Sequence, residues 1–575
     1  MTKSTRKRVS PYWMGGSLLA ISAAILAACA DDPDGIVLPP PPPAPPPPPP
    51  VAMEPEVTLS SVGVFETGIF DEGAAEIVTF DPSSDRLFVV NSNDSTIDVL
   101  DLSDPASPTL ISQIDATALG GGANSIAVSG GILAVAIEAT TATDPGLVAF
   151  YDAATLSLDG QVTVGALPDM VTFTPDGQTV LVANEGEPSD DLTINPEGSI
   201  SIIDVSGGAA TATLEGTATF TSFNGMEDAL NADGVRIFLP GATVAEDVEP
   251  EFIAVSADGT TAFVALQENN ALAIVDIATA TVTELVSFGT VDHSQAGFEF
   301  DPNDDDGINI VNGPVFGMRM PDAIASVEID GETFIVTANE GDGREFETED
   351  PMTGDDVEVF IEVVDVDDAV SDGLIDLTAF TTDELTALND LEISNVSGDT
   401  DGDGMLEELF SFGARSFSIF AADGTLVFDS GSDFEMITAE EFPDDFNSNN
   451  DENDSFENRS DDGGPEPEGV AVGVVDGVTL AFIGLERIGG IMVYDISDPT
   501  APVFEDYINI RDFTVDVQLP DDSVNPAVGD LGPEGLAFVS ADDSPSGTPL
   551  LIVGNEVSGT TRIFEVGLEM VPVDS

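Results

Sequence analysis

The hydrophobic positions of this chain fall in short runs separated by turn residues, and residues 167–206 show the unit most plainly. Pro168-Asp169 leads into an apolar run at 170–173, and Pro175-Asp176-Gly177 supplies a tight turn. A second run, 179–183, ends in Asn184-Glu185-Gly186, and after an acidic loop a third run, 199–205, closes the unit. Runs this short, rich in β-branched residues and bounded by Pro, Asp and Gly, predict antiparallel strands.

The same order of acid, strand, turn, strand and Asn/Gln or Glu recurs to give seven units. The first runs from Glu76-Ile77-Val78 to Asn91, with its third strand at 97–102. The second, which is weaker, runs from Asn124-Ser125-Ile126 to Glu138, then 147–152; the third is the unit above. The fourth spans Glu251 to Gln267-Glu268, then 271–277. The fifth begins at Asp322-Ala323-Ile324, reaches Asn339-Glu340, and has its third strand delayed to 416–420. The sixth spans Glu468 to Glu486, then 491–496, and the seventh Glu534 to Asn555-Glu556, then 561–566. Repeats of this length, each a small antiparallel sheet, predict an all-β fold, a seven-bladed β-propeller with long acidic loop insertions. An array of β-sandwiches is the alternative, but it would not need the same acidic punctuation in every unit. Helix is scarce, and its best candidate is 382–391, inside the long insertion of the fifth unit.

In a propeller the first strand of each blade lines the channel and the second runs back beside it, so the two recurring polar positions should meet at one mouth. The first set is Glu76, Asp169, Glu251, Asp322, Glu468 and Glu534, with Asn124 as the exception. The second is Asn91, Glu138, Glu185, Gln267 or Glu268, Glu340, Glu486 and Glu556. A carboxylate ring in a narrow mouth repels itself unless cations sit in it. Hard oxygen ligands suit Ca²⁺ first, with Mg²⁺ or Mn²⁺ as other divalent candidates.

Composition adds a strong field. Acidic residues number 108 against 13 basic ones, for a formal net charge of −95. Nucleic acid and anionic lipid are therefore poor partners, and the balance suits a marine or saline medium. No lysine follows Lys7; the later cations are all arginines. Basic residues near the start, an apolar stretch and Leu26-Ala27-Ala28-Cys29 read as a lipoprotein signal peptide over 1–28. Cys29, the sole cysteine, is then the lipidation site, and Ala30 after it favours the outer membrane. Residues 29–56 form a Pro-rich tether, stiff where proline runs continue. The propeller domain is expected over 57–575, with the ring-closing role of 57–65 left open. No later apolar run is long enough to span a membrane, so the lipid would be the membrane link.

Asp399-Thr400-Asp401-Gly402-Asp403-Gly404 has the opening of an EF-hand-type loop. Its twelfth position is Phe410, so Glu407 or Glu408 would have to complete it; 301–307 is a poorer version. The amide- and acid-rich run 446–462 alone would pass as a disordered loop. His293 is the only histidine and no G-x-S-x-G elbow is present, which disfavours serine-hydrolase and thiol chemistry. If the chain is an enzyme, metal-assisted phosphoester hydrolysis remains. Arg319, Arg344, Arg415 and Arg487 are the candidate phosphate ligands, with pairing to nearby carboxylates as their other role.

Several stretches together carry a family resemblance: Gly73-Ala74-Ala75-Glu76-Ile77, Ala183-Asn184-Glu185-Gly186-Glu187-Pro188, Met320-Pro321-Asp322-Ala323-Ile324, Gly413-Ala414-Arg415-Ser416-Phe417-Ser418 and Asn555-Glu556-Val557-Ser558-Gly559. The chain resembles the bacterial choice-of-anchor I proteins, relatives of the mesenchyme-specific cell-surface glycoproteins of biomineralising animals. That resemblance implies a secreted propeller held at the cell surface. Bacterial members are often called alkaline phosphatases through their similarity to metal-dependent propeller phosphatases and phytase-like proteins. Some of those use a cysteine iron ligand, which the mature domain here lacks. Two functions follow as expectations: a non-catalytic binding or adhesion module for divalent cations, glycans or mineral, or a Ca²⁺-dependent phosphomonoesterase.

Overall fold

Tight turns of one chemistry set several of the hairpins. At 174–177 the Gly177 amide donates to the Thr174 carbonyl (2.8 Å) and Gly177 takes φ 67°, while the Asp176 carboxylate accepts from Gln178 N and Thr174 Oγ1. The same Asp-Gly device recurs at Gly259 and Gly424, both with positive φ. An acidic side chain that bonds its own turn, followed by a residue free to enter the left-handed region, closes a hairpin at little strain.

The computed structural model describes residues 53–304, 307–349, 356–521 and 523–572. The signal segment, Cys29 and most of the tether lie outside the described residues. Among them, seven four-stranded antiparallel sheets form, one for each predicted unit. Six run in simple chain order, as in Pro168–Phe173, Thr179–Asn184, Ser199–Asp204 and Thr213–Thr219. The delayed third strand of the fifth unit is present as Ser416–Ala421. The first strands of successive sheets pack side by side in order, and the seventh, Pro533–Val539, returns to the first, Val78–Asp81. The chain is a β-propeller.

The core is distributed to match. Seven apolar layers each join two neighbouring sheets: Phe88, Val90 and Val99 meet Ile126, Leu133 and Val135, and so on to Leu550, Ile552 and Ile563 against Leu87, Val89 and Leu100. Alternate residues of each second strand serve opposite layers. That is why those strands read as unbroken apolar runs rather than as apolar-polar alternation.

The last sheet takes its outer strand from the start of the chain. Met53–Glu66 pairs antiparallel with Thr560–Pro572. The seam is close. A Cβ added at Gly554 would lie 2.0 Å from the Glu76 carbonyl oxygen of the first sheet. Gly554→Ala should therefore lower stability by about 1–3 kcal/mol, the usual cost of overpacking, read as a lower urea midpoint.

In the fifth unit's insertion Val366, Leu391 and Leu409 build a small core, joined by Phe300 from the segment that leads into the unit. The expected helix is there but shorter, Thr382–Ala387, started by a capping box in which Thr381 and Glu384 exchange hydrogen bonds. The 446–462 run is folded rather than loose. Phe446 and Asn447 are fully buried, and Asn447 and Asn450 donate to the carboxylates of Glu435 and Glu486. Amides that look idle in sequence are here the donors for buried acids.

Candidate metal centre at the channel mouth

Proline directs the acids inward. Pro168, Pro250, Pro321, Pro467 and Pro533 each stand immediately before an acid of the first set. In three of these sheets the strand pairing breaks straight after the proline, between Pro168/Val171, Pro467/Val470 and Pro533/Leu536. The residue before the proline is left-handed at Leu167, Met320, Glu466 and Gly532 (φ 43°, 38°, 44° and 65°). A bulge after such a kink turns the acid away from the ladder. Asparagine does the complementary work at the ends of the second strands. Asn184, Asn339 and Asn555 are buried and bond within their own sheets, and Glu185, Glu340 and Glu556 follow them.

Glu76, Asn124, Asp169, Asp322, Glu468, Glu534 and Glu556 line one central cavity of about 620 Å³. Carboxylate oxygens of Asp322, Glu340 and Glu468 lie within 4.8 Å of one another, and so do those of Glu340, Glu466 and Glu486. Glu340 is held by Gln267, whose amide donates to its Oε2 (2.9 Å). Glu251 is 7% exposed and its Oε2 has no hydrogen-bond partner; the same holds for Oε2 of Glu486, 5% exposed. Two second-set positions do not join the ring: Asn91 caps the turn at Asp94 N, and Glu138 accepts from Gly122 N.

Burial first, and neighbouring carboxylates second, push these acids upward. Asp169 rises to about 7, with Asp322 and Glu76 as its next causes, and Asp322 rises to about 6 beside Glu268. Glu76 reaches about 7, although Ser92 Oγ donates to it and acts the other way. Glu185, Glu251, Glu340, Glu468, Glu486 and Glu534 are all driven well above the ordinary range, and Glu556 is raised. This is the signature of like charges gathered in a poorly solvated place.

The arginines are engaged by acids, including the second-set Glu268 and Glu486. Arg319 pairs with Asp429 (2.9 Å) and Arg415 with Glu435 (2.7 Å). Arg344 holds Asp247 (3.2 Å) and Glu249 (2.8 Å), and Arg487 holds Glu466 and Glu486 (2.9 Å). Among the described residues no cationic side chain pairs with Asp322, Glu340 or Glu468.

The Choice-of-anchor I domain matches residues 76–499. The chain belongs to the choice-of-anchor I family. Gigasin-3a of Magallana gigas is 30% identical over 169 residues, which cover 28% of this chain and 60% of that protein. The mesenchyme-specific cell surface glycoprotein of Strongylocentrotus purpuratus is 29% identical over 215 residues, 32% of this chain and 27% of that protein. The chain thus spans less than two thirds of the length of either relative. Among solved structures, hydrazine synthase of Kuenenia stuttgartiensis is 14% identical with a TM-score of 0.41, covering 88% of this chain and 98% of that one. Sqt1 of Saccharomyces cerevisiae is 10% identical with a TM-score of 0.42, covering 88% and 99%.

Two further motifs of this choice-of-anchor I chain lie elsewhere. In the EF-hand-like loop, Asp399, Asp401, Asp403 and Glu407 bring oxygens within 4.8 Å, so Glu407 stands where the twelfth-position acid was missing. The loop is exposed, and the Asp399 carboxylate already accepts from the Gly402 and Gly404 amides. Residues 301–307 do not repeat that arrangement in their described part: Asp301 is buried beside Arg415 and Glu435. His293 is structural, 3% exposed, its Nδ1 2.7 Å from the Phe298 carbonyl and its ring on Phe300. Burial pushes its imidazole down from 6.5 to about 4. The unfolded chain therefore takes up this proton first, and the contribution of His293 to stability falls as pH drops from 6.5 toward 4. Because the chain has one histidine, its ring proton resonance should titrate alone in NMR, with a midpoint near 4 in the folded protein.

Glu466 and Glu249 were the acids that the repeat pattern passed over. Both precede the inward-directing proline, in Glu466-Pro467-Glu468 and Glu249-Pro250-Glu251. An acid on each side of that proline was the available signal.

Proposed function

We propose that this chain is a surface-held β-propeller whose channel mouth takes up divalent cations, Ca²⁺ first, and that it serves as a non-catalytic binding or adhesion module. One observation carries the reading. Asp322, Glu340 and Glu468 converge within 4.8 Å with no arginine paired to any of them, while nearby buried acids have arginines. Burying like charges unpaired is costly, and a hard cation with oxygen ligands offsets that cost. Arginines already engaged by acids favour binding over hydrolysis. Arg487, the most exposed of the four with 26% of its side chain accessible, is the residue that a Ca²⁺-dependent phosphomonoesterase would recruit.

Lipid attachment at Cys29 would hold the module on the outer membrane of a bacterium from a saline habitat. No helix among the described residues is long and apolar enough to cross a membrane. The cell-surface wording in the name of the Strongylocentrotus relative supports that placement. Phosphate esters, glycans and mineral are the ligand classes that a cation-filled mouth would attract; nucleic acid is opposed by the net charge of −95.

Calorimetric titration of the chelated protein should show Ca²⁺ uptake that persists at high salt and weakens in Asp322→Asn. No uptake would remove the cation reading. Turnover of p-nitrophenyl phosphate or phytate in the presence of Ca²⁺ would replace the non-catalytic reading with the hydrolytic one.

A further inference from the structure

Glu340 belongs to both carboxylate triads of the mouth: Asp322, Glu340 and Glu468 on one side, Glu340, Glu466 and Glu486 on the other. We infer that the mouth holds a pair of divalent cations, with the Glu340 carboxylate bridging them. This rests on the reading of the mouth as a cation site and adds the number of ions and their connection.

Two observations support a pair. The first is the shared residue itself, since a carboxylate has two oxygens that can serve two ions. The second is Glu486. Its Oε1 is taken by Asn450 Nδ2 (2.7 Å) and Arg487 Nη1 (2.9 Å), yet Oε2 is buried with no partner. A buried carboxylate oxygen without a donor needs a cation more than it needs empty space.

The two positions are unequal. No arginine pairs with the three carboxylates of the Asp322 side, so its ion meets a less compensated field. On the other side both oxygens of Glu466 are already engaged by Arg459 and Arg487, so the second ion enters a partly compensated site and binds more weakly. Paired ions of this kind sit about 3.5–4 Å apart in carboxylate-bridged centres.

The test uses the full chain with Asp399→Asn and Asp401→Asn, which silence the exposed loop. Calorimetry should count two Ca²⁺ per chain with distinct affinities, and a Tb³⁺/Eu³⁺ mixture should show energy transfer between the bound ions. Asp322→Asn should leave one ion, Glu486→Gln should abolish only the weaker one, and Glu340→Gln should weaken both. The glutamine that replaces Glu340 would keep the size of the side chain and its contact with Gln267, and circular dichroism would verify the fold. A single ion untouched by Glu486→Gln, or a Glu340→Gln chain that loses one ion and keeps the other at full affinity, would overturn the bridge while leaving the mouth a cation site. No uptake at all in the loop-silenced chain would take both readings away.

Discussion

Glu340→Gln should make the cation-free protein harder to unfold and remove most of its stabilisation by Ca²⁺. The two halves of this result have one cause. In the absence of ions, Glu340 faces Asp322 and Glu468 on one side and Glu466 and Glu486 on the other, all within 4.8 Å in their triads. At an effective dielectric of about 20, a pair of like charges at that separation repels by roughly 3 kcal/mol. Protonation relieves part of this, since burial and the neighbouring acids already drive Glu340 well above the ordinary carboxylate range. Glutamine removes what is left. The loss appears on adding Ca²⁺: a site filled at about 100 times its dissociation constant stabilises the wild-type protein by about 2.7 kcal/mol, and the variant gains little of it. Urea unfolding of both proteins, chelated and Ca²⁺-loaded, checks both halves. A variant less stable than wild type in chelator would show that Glu340 is a structural acid and not a crowded ligand.

Arg344→Leu should destabilise the protein by about 3–5 kcal/mol, the range expected when one partner of a buried ion pair is removed. Arg344 is 4% exposed and lies in the insertion of the fifth unit, yet it holds Asp247 and Glu249 from the segment that leads into the fourth sheet. Its guanidinium also lies over the Phe238 ring (5.0 Å to the centroid). Leucine keeps bulk but leaves Asp247 and Glu249 buried and uncompensated. Adding Glu249→Gln to Arg344→Leu should recover part of the loss, because one of the stranded charges is then gone. Equal stability of the single and double variants would mean that packing, not charge, is what Arg344 contributes.

The repeat was legible because each second strand is buried on both faces and the first hairpins of four units turn on an Asp-Gly pair, at Gly177, Gly259, Gly331 and Gly477, that declares itself in sequence. The outer strands were not. Thr109–Asp115 and Thr213–Thr219 are mostly exposed, so no apolar pattern marks them. The first-set acids could be found by their spacing, and Asp169, Asp322, Glu468 and Glu534 do line the cavity together. The arginine partners could not, because Arg344 and Asp247 are 97 residues apart and Arg319 and Asp429 are 110 apart. Ion pairs of this reach depend on how the insertion folds back, and no local pattern encodes it. The same holds for Asn450, whose bond to Glu486 ties an apparently loose acidic loop to a second-set acid.

The pairing of Met53–Glu66 with the end of the chain has a mechanical consequence. Any pull delivered through the residues before Met53 reaches the ring first at the strand that closes it. The ladder runs from Met53 opposite Pro572 to Glu66 opposite Thr560, so a tug along the strand loads many hydrogen bonds at once, whereas a tug across it opens them singly. The direction of traction, as much as its size, would decide whether the seam holds.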